Sequence, residues 1–251
     1  MATSKIITIA TSIIVSASIS SCSDRVNRAT TYEYKTAETT AVADNTISTA
    51  GYTWTALSSG DCGYALLADN IISSSARGKS AIFPVIIEEA NECHGMYRLI
   101  NPMRAFGMEG EHDYNIVIDA TNPTRVVIKR QDIGVDLGKG TVALESAASS
   151  YLEAGIPAIV VEDAGLFGTY ENGEIHFADN SFFIWNNGTR EDSNAAGSLL
   201  IILPERVAAY ESTGSNIDYA LGTEYLNRTR NSPALHSDSP DRLGNGAVAM
   251  N

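Results

Sequence analysis

Short runs of β-branched and aromatic residues, each closed by a Gly, Asn or Pro turn, fill the chain from residue 51 to residue 204. This punctuation leaves little room for a helical core. A run of four to eight residues that alternates with period two can bury one face only as a strand. The run 51–57 places Tyr52, Trp54 and Leu57 among Thr and Ser, and 60–63 turns the chain into a second strand at 64–67. Residues 81–89 are rich in β-branched side chains. Pro84 within them marks an edge strand or a bulge, because proline brings no N–H to a ladder. Further strands are expected at 96–100, at 114–119 by strict alternation, at 125–129 and in the short apolar run 158–162. Glu171-Asn172-Gly173 and Asn186-Asn187-Gly188 are hairpin turns flanking strands at 175–177 and 182–185. A last strand at 198–203 is stopped by Pro204.

About ten short strands in this arrangement predict an all-β fold, an antiparallel β-sandwich or barrel-like domain. Helix is scarce, with weak candidates at 143–154 and 205–211 only. The apolar pattern fades after Gly214, so 214–251 reads as a poorly ordered C-terminal tail and 49–213 as the β-rich domain.

The N-terminal segment stands apart. Lys5 is its one charge before Cys22, followed by an apolar stretch over 6–15 and small residues up to Ser20-Ser21. A basic start, a short apolar core and a small-residue exit form a secretory signal peptide, here 1–21. The stretch is too short and too rich in Ser and Thr for a transmembrane helix. Ile19-Ser20-Ser21-Cys22 resembles the bacterial lipobox. That resemblance implies a thioether-linked diacylglycerol on Cys22, cleavage before it, and acylation such as palmitate on the new amine. Several acyl chains anchor stably where one is marginal. The polar stretch 22–48 then reads as a flexible tether between membrane and domain.

The formal net charge of −13 and a pI near 4.6 argue against nucleic acid or an anionic lipid surface as a partner. Export would place the chain in a disulfide-permissive compartment. Cys62 and Cys93 are then candidates for a bridge, with two buried free thiols as the alternative.

Two blocks add a family resemblance. Tyr97-Arg98-Leu99-Ile100-Asn101-Pro102 and Ile118-Asp119-Ala120-Thr121-Asn122-Pro123 follow Trp54-Thr55-Ala56-Leu57 and precede Gly173-Glu174-Ile175-His176-Phe177. In this order they resemble a family of Bacteroidetes envelope lipoproteins over roughly 51–204. The resemblance implies an envelope location and a β-rich domain, and it supplies no catalytic residues. Physically, Tyr97 and Leu99 should face a core, Arg98 should point outward or pair with an acid, and each Asn-Pro should end a strand.

Catalytic signatures are absent from the sequence. Residues 134–141 depart from a phosphate loop in spacing and read as a glycine-rich β-turn. Glu109, Glu111, His112 and Asp113 crowd one loop, which reads as a solvated segment more readily than as a cation site. His94, His112, His176 and His236 have no metal-ligand spacing, and no Gly-x-Ser-x-Gly elbow occurs. Glu88, Glu89, Glu92, Asp163 and Glu171 show no spacing that marks a glycosidase pair. Trp54 is expected in the core. Trp185, at the end of an apolar strand, is the candidate ligand contact.

The sequence thus predicts a non-enzymatic lipoprotein anchored to the outer membrane, surface-exposed or periplasm-facing. No catalytic residue, metal or cofactor is expected. The β domain would bind a glycan or an envelope protein; a structural or adhesin-like assembly subunit is the alternative, and a surface hydrolase a more distant one.

Overall fold

A computed structural model describes residues 51–60, 62–72, 80–108, 113–136, 138, 140–191 and 197–230. The expected signal peptide, the tether, Cys22, most of the acidic loop at 109–113 and His236 lie outside these residues.

Thirteen strands occur among the described residues. The first six are β1 (Trp54–Ala56), β2 (Ala65–Asp69), β3 (Ala81–Val85), β4 (Ile87–Ala90), β5 (Cys93–Leu99) and β6 (Ile116–Asp119). They are followed by β7 (Gln131–Asp136), β8 (Gly140–Ser146), β9 (Thr169–Glu171), β10 (Glu174–Phe177), β11 (Phe182–Asn186), β12 (Thr189–Arg190) and β13 (Leu199–Ile202). Helices are short: α1 (Ala147–Glu153), α2 (Ala158–Asp163), α3 (Pro204–Glu211), α4 (Tyr219–Arg230) and a 3-10 turn at Pro102–Phe106.

The strands form three antiparallel sheets in the orders β1-β4-β5-β6, β3-β2-β13-β10-β9 and β12-β11-β8-β7. Each order is linear with two ends, so the fold is sandwich-like and not a closed barrel. One core joins the sheets: Tyr97, Leu99 and Ile118 from the first, Leu67, Phe83, Phe177 and Ile201 from the second, and Ile133, Leu144 and Phe182 from the third.

The turn chemistry holds as expected. Asn172 and Gly173 take φ of 52° and 76°, and Asn187 and Gly188 take 47° and 79°. Two consecutive left-handed residues build a type I′ hairpin, and Asn-Gly accepts it at least steric cost. β9–β10 and β11–β12 result, with Glu171 opposite Glu174 and Asn186 opposite Thr189. The turn read at 134–141 joins β7 to β8, with Asp136 opposite Gly140.

Four expectations change. The run 81–89 is two strands in different sheets, β3 and β4, exchanged at Ile86. Residues 125–129 make only isolated bridges, Asp119 to Val127 and Val126 to Gly168. The run 158–162 is helical. Above all, the tail assigned to 214–251 contains α4, whose Leu221, Tyr225 and Leu226 are buried. The folded domain therefore reaches at least Arg230.

Helix α4 closes the switch between sheets. The Tyr225 hydroxyl accepts from the Ile86 N–H at 3.2 Å and donates to the Ile100 carbonyl at 2.5 Å. Two backbone groups that the strand exchange removes from a ladder thus gain a partner. Pro84 sits on β3, an end strand of its sheet, as its missing N–H requires. At the opposite end of the first sheet, the Gln131 carboxamide substitutes for a strand: it accepts from Val117 N–H and donates to Val117 C=O, both at 2.8 Å.

Candidate binding surface

Strand β8 alternates, so Val142 and Leu144 enter the core while Ala143 and Glu145 face the other side. On β11, Phe183 lies opposite Glu145 and Trp185 opposite Ala143. An aromatic and acidic set therefore occupies the outer face of the third sheet. The indole N–H of Trp185 donates to Glu145 Oε2 at 3.1 Å. The Arg130 guanidinium lies 3.9 Å from the Trp185 ring centroid, and that of Arg190 lies 4.5 Å from the Phe183 ring. Both are cation–π contacts. Trp185, the predicted ligand contact, is half-buried, with its N–H and one ring face already engaged.

Helix α1 covers part of this face. It begins where β8 ends. Ser146 is its N-cap and accepts from Ser149 N–H at 3.4 Å, while the same hydroxyl bonds both Ile128 backbone groups at 3.1 Å. Tyr151 on α1 meets Phe183 edge-to-face at 6.0 Å. Beneath the helix Glu145 is only 2% exposed. Burial, reinforced by the negative charge of Glu153, pushes its carboxyl above the ordinary glutamate range. Hydrogen bonds from Trp185 and Ser150 and the charge of Arg130 pull the other way. Glu153, at the end of α1, is also raised by burial, against Lys129 and Arg130, although it remains solvent-exposed and water screens its share.

Both α1 and α2 end in the same motif. Gly155 N–H bonds Leu152 C=O and Ile156 N–H bonds Tyr151 C=O; Gly165 and Leu166 do likewise to Glu162 and Val161. Gly155 and Gly165 have φ of 82° and 66°, the left-handed position that closes such an end. These glycines make 158–162 a helix bounded on both sides. Of its apolar residues only Val161 is fully buried. Ile159 and Val160 are 59% and 51% exposed, and Tyr151 and Ile156 are 40% and 37% exposed. The result is an apolar ridge along α1–α2. Exposed Glu153, Glu162 and Asp163 rim it, Glu162 being paired with Arg125 at 2.5 Å.

The other sequence-predicted residues lie elsewhere. Trp54 is half-buried in a satellite cluster with Ala90, Cys93 and Met96, under Arg98 at 4.4 Å, and so is not in the main core. Arg98 pairs with Glu88 at 2.5 Å, and Tyr97 and Leu99 point into the core as predicted. Asp113 accepts from Asn101 Nδ2 at 2.8 Å. His176 is exposed on β10.

The Cys62–Cys93 bridge is not formed. Cys62 is a free thiol in the cluster of Leu66, Ile202 and Val207, whereas Cys93 belongs to the satellite cluster around Ala90, so different faces separate them. The Cys62 thiol donates to the Tyr64 carbonyl at 3.2 Å, and burial pushes its pKa up, so it is a poor nucleophile.

Glu145, Arg130, Ile159 and Val160 were not selected by sequence reading. One signal for the ridge was there: residues 156–161 are apolar at every position, more than one face of a surface helix can bury.

No protein-family model, curated protein or solved structure matches the chain. Among the described residues no cluster of His, Cys, Asp and Glu could hold a metal ion, and no helix is long and apolar enough to cross a membrane.

Proposed function

We propose that the chain is a lipid-anchored envelope lipoprotein that binds another envelope protein through the α1–α2 ridge and performs no chemistry. The observation that carries the binding role is the exposure of Ile159 and Val160, 59% and 51%, beside Tyr151 and Ile156. A contiguous apolar ridge rimmed by charge is what a soluble domain keeps for a partner. The acidic rim of Glu153, Glu162 and Asp163 favours a partner that surrounds an apolar groove with Lys and Arg. The lipobox at 19–22 and the two blocks resembling Bacteroidetes envelope lipoproteins support the location. A glycan at Trp185 is less favoured, because Arg130 already lies on its ring.

A photo-crosslinking side chain at Ile159 in intact cells tests this reading. The expected result is one dominant protein adduct that disappears with Val160→Asp and with Cys22→Ser. Radiolabelled palmitate should mark the parent and not Cys22→Ser. An adduct indifferent to Val160→Asp would remove the ridge as the docking face. An unlabelled parent would remove the anchor.

A further inference from the structure

Among the described residues each of the three sheets has two end strands, and all but one of these ends are closed or broken. β3 carries Pro84, and its Ile82 carbonyl accepts from the Asp218 N–H at 2.7 Å. β6 meets the Gln131 carboxamide and Val127. The Tyr170 N–H of β9 donates to the Pro123 carbonyl at 2.7 Å. β7 has a bulge between Asp132 and Gly134, and β12 is two residues long and carries Arg190. Covers, prolines, bulges, charges and shortness are the means by which proteins keep one sheet edge from pairing with another. Strand β1 is short but has none of the others: residues 51–57 contain no charge and no proline. In the backbone, the Thr53 carbonyl accepts from Asn91 N–H at 2.9 Å and Leu57 N–H donates to Ile87 C=O at 3.0 Å. An antiparallel ladder alternates, so Thr53, Thr55 and Leu57 face β4, while Trp54 and Ala56 turn their N–H and C=O groups outward. Those outward groups have no partner among the described residues, and Ala56 is exposed.

The strand is held in place through its side chains. Thr53 donates from its N–H and its hydroxyl to the two oxygens of Glu92 at 2.8 and 2.7 Å, and the Thr55 hydroxyl donates to Asn91 at 2.8 Å. On the other face the Arg98 guanidinium lies 4.4 Å from the Trp54 ring. An ordered edge with free backbone groups is a template for a further strand. We infer that this strand is β1 of a second copy, in a two-fold dimer centred on Thr55. Rotation about that point sets Trp54 of each copy opposite Ala56 of the other, and each such pair exchanges both of its N–H···O=C bonds. The register suits the side chains. Each Trp54 meets a small Ala56, which leaves the indole its place on Arg98, and Thr55 meets Thr55 on the opposite face, a favourable cross-strand pair. No charges oppose each other there, in a chain whose net charge of −13 repels a second copy elsewhere. Two four-stranded sheets become one continuous sheet with β6 at both ends. Since β6 is already closed, the assembly stops at two. Neither α1 nor α2 takes part, so the dimer is independent of the apolar ridge.

Cross-linking of the full chain tests the register, in a Cys62→Ser background that removes the free thiol. Thr55→Cys sets two thiols on opposed residues whose Cα atoms are about 4.5 Å apart, within reach of a disulfide. Thr53→Cys sets them about 13 Å apart along the strands, out of reach. Under mild oxidation Thr55→Cys is expected to give a disulfide-linked dimer on a non-reducing gel, which Thr53→Cys and the background chain lack. Sedimentation of the parent chain should show a dimer, and Ala56→Pro should reduce it to a monomer. Proline at that position removes an N–H that has no partner within one molecule, so the fold is kept while each Trp54–Ala56 pair loses a bond. No cross-link at position 55, or equal cross-linking at 53 and 55, overturns the dimer. So does a parent dimer that Ala56→Pro leaves intact, or a ladder of larger species. Should Ala56→Pro fail to fold, the contrast between positions 53 and 55 decides alone. Val160→Asp is expected to leave the cross-link at 55 unchanged, so failure of the ridge as a docking face and failure of this dimer are read separately.

Discussion

Asn101 shows how much one side chain organises. It is 1% exposed and left-handed, with φ of 45° and ψ of 44°. Its amide oxygen accepts from Tyr114 N–H at 2.6 Å and its Nδ2 donates to Asp113 at 2.8 Å, while its own N–H donates to Asn115 at 3.2 Å. The carbonyl before it, that of Ile100, is held by Tyr225. Asn is the non-glycine residue that best tolerates this backbone region while satisfying buried polar groups. Replacement by Ala strains the backbone and orphans two half-buried partners, at a cost of about 1–3 kcal/mol. Denaturant unfolding should show it, and Asn101→Gly should cost less because glycine relieves the strain alone. The Asn-Pro pair was legible in the sequence as a strand end. Its role as a hub was not, because Asp113, Tyr114 and Asn115 reach it from beyond a 3-10 turn.

At the scale of elements, α4 depends on a single missing Cβ. A Cβ at Gly222 would come within 2.6 Å of Cδ and 2.9 Å of Cγ of Pro84. Helix and edge strand therefore touch through glycine and proline, one lacking a side chain and the other an N–H. In an exposed helix Gly→Ala stabilises by about 1 kcal/mol. Gly222→Ala should reverse that sign and lower the unfolding midpoint, since overpacking costs about 1–3 kcal/mol. The double variant Gly222→Ala with Pro84→Ala should recover part of the loss in a thermal scan. Equal losses in both would show that the contact is not the cause. The same element explains why sequence reading failed here. Tyr219–Arg230 has polar residues at half of its positions, and Leu221, Tyr225 and Leu226 form too narrow a stripe to announce a helix before its sheet is known. The run 158–162 misled in the opposite way. Isoleucine and valine favour strands, but Gly155 and Gly165 confine them to a single pair of turns.

For the molecule as a whole, the three sheets depend on one another and on α4. Tyr225 is fully buried, and it meets Phe83 of the second sheet at 6.3 Å while its hydroxyl holds the crossing to the first. A chain ended at Thr213 should lose cooperative unfolding and expose apolar surface, detected as a broadened melt and bound hydrophobic dye. A sharp, undisturbed transition in that chain would contradict the role assigned to the helix. Strand periodicity, the two Asn-Gly hairpins, the edge position of Pro84 and the inward Tyr97 and Leu99 are local properties, and they were readable along the chain. The partition into three sheets, the burial of Glu145 under α1, the separation of Cys62 from Cys93 and the closure by Tyr225 join residues tens of positions apart. No window of sequence contains both partners of such a contact, so these were decided only when the sheets packed.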